Sequence, residues 1–188
     1  MKKYLIIILV TVLSTGCYSQ ANKKNTMATA NNNPAYSRTD TGKVTMAEQE
    51  WKKILSPEVY HVAREKGTAR PGTSKFEAFA EVGIYYCAVC GNALFKSDTK
   101  FDSGCGWPSF YEPISKTSII YTPDNTYGMT RTEVQCGKCK SHLGHVFDDG
   151  PPPTGLRYCI NGVVLDFEKA KEAEKKYDKG GKNTSTNL

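Results

Sequence analysis

The chain has 188 residues, which allows one ordinary domain with extensions or two very small domains. Hydrophobic residues make up 39% and charged residues 23%, globular usage that excludes a wholly disordered chain and a multi-span membrane protein. The net charge is +6, two units of it from Lys2 and Lys3; the remainder is dispersed rather than clustered, so no nucleic-acid partner is expected.

The first residues read as a targeting segment. Lys2 and Lys3 form a basic start, Tyr4 to Leu13 is apolar apart from Thr11, and Ser14-Thr15-Gly16 precede Cys17. This is an export signal over 1–16, too short for a comfortable permanent span. The Gly16-Cys17 junction resembles a bacterial lipobox, with Ser14 where Leu is usual. That likeness implies lipidation at Cys17 and an anchored protein of the bacterial cell envelope, periplasm-facing or outer, attached to the membrane by several acyl chains. Residues 17–44 are rich in Asn, Thr, Ala, Ser and Lys without apolar periodicity, and are expected to be a flexible tether. A polar tail is expected over 179–188, which leaves a folded domain over 45–178.

Within that domain, Thr45-Met46-Ala47-Glu48 fits a capping box before an apolar stripe of Trp51, Ile54 and Leu55. Ser56-Pro57-Glu58 is a second helix start, for a short helix ended by Gly67. From Val82 the texture changes to short runs of β-formers at 82–86, 118–121, 127–135 and 143–147. Asn161-Gly162 between 156–160 and 163–167 predicts a hairpin turn with positive φ. A charged helix is expected over 168–177. The class is therefore mostly β, with short N- and C-terminal helices.

Seven cysteines are an odd number and do not have the spacing of a small disulfide scaffold. Cys87-x-x-Cys90 and Cys136-x-x-Cys139 share one spacing and each follows a predicted strand. Four soft ligands in two such pairs suit tetrahedral zinc, a knuckle site that would clip two distant hairpins together. Two redox pairs or structural disulfides are the alternatives. A rival ligand set of Cys136, Cys139, His142 and His145 leaves almost no loop between Cys139 and His142.

Cys105 and Cys159 remain. Cys105 lies in a Gly-punctuated loop with Trp107. Strand alternation places Arg157, Cys159 and Asn161 on one face, where a cation favours a thiolate and an amide offers a donor. As histidines, His142 and His145 are candidate proton donors. On residue types alone, an active thiol and a buried strand cysteine stand level, and Trp107 reads more readily as core than as substrate wall.

Three motifs in order, Lys100-Phe101-Asp102-Ser103-Gly104-Cys105-Gly106-Trp107-Pro108-Ser109-Phe110, Ser141-His142-Leu143-Gly144-His145-Val146-Phe147-Asp148-Asp149-Gly150-Pro151 and Leu156-Arg157-Tyr158-Cys159-Ile160-Asn161, closely resemble the B-type methionine sulfoxide reductases. The two Cys pairs match the zinc-containing members. The resemblance runs from about Met46 to Phe167. It implies a fold of two antiparallel β-sheets with a structural Zn2+ away from the active site. It also implies thiol-dependent reduction of the R epimer of protein-bound methionine sulfoxide, a protein-repair activity. By the same resemblance Cys159 is the nucleophile and Cys105 the resolving thiol. His145 and Asn161, with His142 beside them, hold and protonate the departing oxygen. Trp107 receives the ε-methyl group, and Arg157 steadies the Cys159 thiolate. The implied partners are oxidised proteins and a thioredoxin-like reductant acting on a monomer. The chain departs from the family at Gly67-Thr68-Ala69, where an acid usually stands in place of Ala69, and in the run Pro151-Pro152-Pro153.

A zinc-knuckle binding module and a Cys-x-x-Cys oxidoreductase are the other classes to weigh. The first lacks a basic, aromatic face. The second lacks a βαβ thioredoxin pattern around either pair.

Overall fold

The structure, a computed structural model, describes residues 33–170. The expected signal segment, Cys17, the first half of the tether and the polar tail lie outside the described residues.

Two short helices come first: α1 (Glu48–Ile54) and α2 (Pro57–Ala63). Glu50 accepts the Ala47 N–H at 3.1 Å, so the N-cap is Ala47, two residues after the Thr45 start that the sequence predicts. Ser56 caps α2 as predicted, accepting the Val59 N–H at 3.3 Å, with Pro57 in the first turn. Trp51, Val59, Val62 and Ala63 are the buried faces of these helices.

Nine strands follow, β1 (Gly83–Cys87), β2 (Ala93–Lys96), β3 (Lys100–Phe101), β4 (Ser109–Phe110), β5 (Ile119–Asp124), β6 (Arg131–Cys136), β7 (His142–Phe147), β8 (Arg157–Ile160) and β9 (Leu165–Lys169). They form an antiparallel three-stranded sheet in the order β2-β1-β9 and an antiparallel six-stranded sheet in the order β3-β4-β8-β7-β6-β5. Aromatic rings fill the space between the sheets. Phe95 stacks on Phe110 at 4.4 Å, and Tyr85 meets Phe110 and Phe167 edge-on or tilted at 4.9 Å. Such offset and edge contacts are the favoured arrangements of aromatic pairs. The predicted mostly β class with two antiparallel sheets is therefore observed.

Three local expectations are corrected. Asn161-Gly162 is not a hairpin turn: Asn161 has φ −64°, Gly162–Val164 form a 3-10 turn, and β8 and β9 belong to different sheets. Glycine is needed at 162 for space, since a Cβ there would lie 1.8 Å from Ser74 Oγ. The segment beginning at Glu168 is strand up to Lys169, because Glu168 and Lys169 pair with Ile84 and Gly83 of β1; the rest of the expected C-terminal helix, from 171, lies outside the described residues. Finally, the tether expected through 44 does not reach that far. From Asn33 onward the chain lies against the domain, with Asn33 and Ala35 buried.

Candidate active site and four-cysteine centre

Strand β8 carries the reactive face. Tyr158 and Ile160 point into the core, while Arg157 and Cys159 share the half-exposed side. Cys159 is cross-strand neighbour to His145 on β7 and to Ser109 on β4. The loop before β4 brings Cys105 back over the sheet, so that its Sγ lies 3.5 Å from Cys159 Sγ. A cavity of about 130 Å³ opens beside Cys159, lined by Thr68, Trp107, Arg131, His145, Phe147 and Asn161 among others. Of the predicted residues, Trp107, His145, Cys159 and Asn161 line this pocket, Cys105 reaches it through Cys159, and Arg157 and His142 lie outside it.

The two histidines differ in setting. His142 is buried and its Nδ1 lies 2.7 Å from Glu133 Oε1. Burial holds its pKa below the usual histidine range, the Glu133 carboxylate opposing. The neutral ring then donates a hydrogen bond from its Nδ1–H to the carboxylate. Glu133 is nearly inaccessible and also accepts from Lys66 Nζ at 2.8 Å. Burial works to raise its pKa, but Lys66 and His142 outweigh that and keep it ionised. His145, lining the pocket, is 2.7 Å from Asp124 Oδ2. Asp124 is held well below the usual carboxylate range, first by hydrogen bonds from Thr126 and further by His145 and Arg131. The rings of His142 and His145 are 5.5 Å apart.

Asp124, Glu133, Arg131, Thr68 and Lys66 were not singled out from sequence. Glu133 stands opposite His145 in the β6–β7 register, a relationship set by strand pairing and not by any local motif.

Main-chain groups of Ala69 position two site residues. Its N–H donates to Asn161 Oδ1 at 2.9 Å, and its carbonyl accepts from Trp107 Nε1 at 2.9 Å. The Ala69 side chain is not used in either contact, which explains how the site tolerates its departure from the family pattern. Asn161 Nδ2 also donates to Leu143 O at 3.0 Å. One amide proton of Asn161 is left to face a ligand.

Arg157 acts on Cys159 in the expected direction but is outweighed. It stands near Cys159 and favours its thiolate, but its guanidinium is paired to Asp149 through two contacts of 2.8 Å and lies over the Phe147 ring at 4.4 Å. Burial, reinforced by Cys105, wins: the Cys159 thiol is pushed up to about 12. For Cys105 burial works the same way, but hydrogen bonds with the Ser103 and Ser109 hydroxyls outweigh it and lower the thiol below its usual range. In the ligand-free pair Cys105 is the more acidic thiol.

A second centre lies where the turns after β1 and β6 meet. Cys87, Cys90, Cys136 and Cys139 are all buried, and their Sγ atoms lie within 4.8 Å of one another. Cys87 and Cys139 are 3.8 Å apart, and Cys90 and Cys136 3.5 Å. A tetrahedron with Zn–S bonds of about 2.3 Å has edges of about 3.8 Å, so the donor set fits zinc in type, number and spacing. His142 belongs to Glu133 and His145 to Asp124, so the rival Cys2His2 set does not assemble.

Two thiols 3.5 Å apart beside a small pocket, with a separate cluster of four cysteines that could hold a metal ion, are the arrangement of a thiol-based oxidoreductase. A family model described as the SelR domain matches residues 55–169. Two proteins named peptide methionine sulfoxide reductase MsrB resemble the chain over most of their length. That of Pseudomonas putida (strain W619) is 57% identical over 126 residues, 67% of this chain and 95% of the relative. That of Methanosarcina mazei is 55% identical over 133 residues, 71% of this chain and 95% of the relative. The chain belongs to the SelR-domain family, the B-type methionine sulfoxide reductases.

Proposed function

We propose that the protein reduces the R epimer of methionine sulfoxide in oxidised proteins, with Cys159 attacking and Cys105 resolving. The observation that carries this reading is the 3.5 Å approach of the two thiols beside a pocket lined by Trp107, His145 and Asn161. Trp107 offers an apolar wall for the ε-methyl group, the remaining Asn161 amide proton offers a donor to the sulfoxide oxygen, and His145, its Nε2–H held by Asp124, can relay a proton through Nδ1. One handed arrangement of methyl, oxygen and sulfur satisfies both sides, which is the basis of epimer choice.

A sulfoxide sulfur is a poor electrophile until its oxygen gains a proton. The resting Cys159 is a thiol, so it brings one proton to the encounter. As that proton passes to the sulfoxide oxygen, through or beside His145, the Cys159 sulfur takes the oxygen as hydroxyl. Methionine leaves, and Cys159 becomes a sulfenic acid, oxidised by the two electrons the substrate gained. The Cys105 sulfur then attacks the Cys159 sulfur, its thiol proton passing to the departing hydroxyl, which leaves as water as the Cys105–Cys159 disulfide forms. A thioredoxin-like dithiol reduces that bond and restores the pair.

Zn2+ is the proposed occupant of the four cysteines. Held by Cys87 and Cys90 at one turn and Cys136 and Cys139 at the other, it would cross-link the ends of β1 and β6 as a structural ion. The export signal over 1–16 and lipidation at Cys17 place the enzyme at the bacterial cell envelope in this reading, where secreted and surface proteins meet oxidants.

The deciding experiment is reduction of separated R and S methionine sulfoxide peptides with dithiothreitol as donor. Turnover of the R peptide alone is expected, and equal turnover of both epimers contradicts the pocket assignment. For location, mass spectrometry of the mature N-terminus should show a diacylglyceryl-modified Cys17, lost in Cys17→Ala; an unmodified N-terminus beyond Cys17 overturns the anchor.

A further inference from the structure

Residues 33–44 precede the family match, which begins at residue 55, yet they are bound to both turns of the four-cysteine centre. On the first turn, Asn33 Nδ2 donates to Val89 O at 2.8 Å and the Ser37 N–H donates to Cys90 O at 3.1 Å. On the second, the Val44 N–H donates to Lys138 O at 3.0 Å and Lys43 Nζ to Gly137 O at 2.5 Å. The approach is close enough to exclude a side chain: Gly91 has φ +73°, and a Cβ there would lie 2.8 Å from the Ser37 carbonyl. Away from the cysteines the segment is clamped by Arg38. Its guanidinium pairs with Asp166 at 2.6 Å and Glu168 at 3.1 Å, and lies 4.5 Å over the Tyr86 ring.

Lys138 lies between Cys136 and Cys139 and is 3% exposed. Its Nζ donates to the carbonyls of Ser37 at 3.0 Å, Asp40 at 2.7 Å and Cys90 at 3.2 Å. Among the described residues it pairs with no carboxylate. A buried cation held by carbonyl dipoles alone is costly to desolvate unless an opposite charge lies nearby. Four thiolates on one divalent ion carry a formal charge of −2, and ligands of that cluster would sit two residues before Lys138 and one residue after it.

We propose that residues 33–44 are a lid on the four-cysteine metal centre, locked by Lys138, whose ammonium balances the negative metal–thiolate cluster while its three hydrogen bonds hold the lid to both knuckle turns. The lid controls how fast metal leaves and how readily chelators and oxidants reach the thiolates. This rests on the zinc assignment above.

The test uses the full chain. Bound zinc is first counted, and its transfer to a chromogenic chelator at neutral pH is then timed for wild type, Lys138→Met, Arg38→Ala and Arg38→Lys. Outer-shell changes of this kind cost roughly 10- to 100-fold in metal retention. Lys138→Met should release zinc faster by about that factor. Arg38→Ala, which alters no contact to the cysteines, should also speed release, and Arg38→Lys should restore much of the wild-type rate by keeping the ion pair. If Lys138→Met does not fold, the Arg38 pair decides the matter. Stoichiometric zinc with an unchanged release rate in Arg38→Ala overturns the lid and leaves the metal assignment standing. A protein that takes up no zinc at all overturns both.

Discussion

Cys105 Sγ and Cys159 Sγ lie 3.5 Å apart, although 54 residues separate them in sequence. The loop before β4 and the middle of β8 are brought together by the pairing of Ser109 with Cys159. A small side-chain rotation closes the remaining gap to a disulfide. Cys159→Ser should abolish even a single turnover. Cys105→Ser should still yield one methionine per enzyme, leave a sulfenic acid on Cys159 and lose recycling by a thioredoxin-like donor. Rapid-quench assay with intact mass measurement reads both; full donor-dependent turnover in Cys105→Ser would refute the resolving role.

The ionisation order of the two thiols is equally open to measurement. Cys159 is raised to about 12 and Cys105 lowered, so iodoacetamide at pH 7 should label Cys105 first in the substrate-free enzyme. Asp149→Asn removes the partner that neutralises Arg157, so the labelling rate of Cys159 should rise at fixed pH. Peptide mapping of alkylated sites over a pH series gives the outcome directly, and a faster Cys159 in wild type contradicts the order.

The metal ligands and the histidines should separate cleanly. Ser in place of any one of Cys87, Cys90, Cys136 or Cys139 should release zinc and lower Tm by about 10 °C or more, because metal binding is coupled to folding. His142→Ala and His145→Ala should retain stoichiometric zinc, as measured by atomic emission on the purified protein.

His142 also makes stability depend on pH. Its folded-state pKa is lowered by burial. The unfolded chain therefore binds a proton at higher pH than the native one does, starting near the ordinary value of about 6.5. The stability gained from a neutral buried ring is complete above that value and is lost as pH falls from about 6.5 toward the folded pKa. Urea denaturation between pH 7.5 and 5.5 should show this decline, and His142→Gln should flatten it. An equal slope in the variant would assign the effect to another group.

Local chemistry made much of this protein readable in advance. The cap at Ser56 with Pro57, the β texture from Val82 onward and the paired Cys-x-x-Cys spacings depend on neighbours a few residues apart, so their signals survive in one dimension. Alternation along 157–160 likewise placed Arg157 and Cys159 on one face, since the side-chain period of a strand is fixed at two. What depends on pairing between distant segments was not readable. Asn161-Gly162 has turn composition but sits between strands of different sheets, where Ser74 rather than a hairpin requires the glycine. Glu133 and Asp124 became histidine partners only through the register of β5, β6 and β7. The polar composition of 33–44 signalled a free tether, yet backbone hydrogen bonds and the cations of Arg38, Lys43 and Lys138 bind it to the domain. The protonation of Cys159 was decided the same way: sequence shows a cation two residues off, whereas only the folded site reveals that Asp149 has already taken its charge and that burial outweighs what is left.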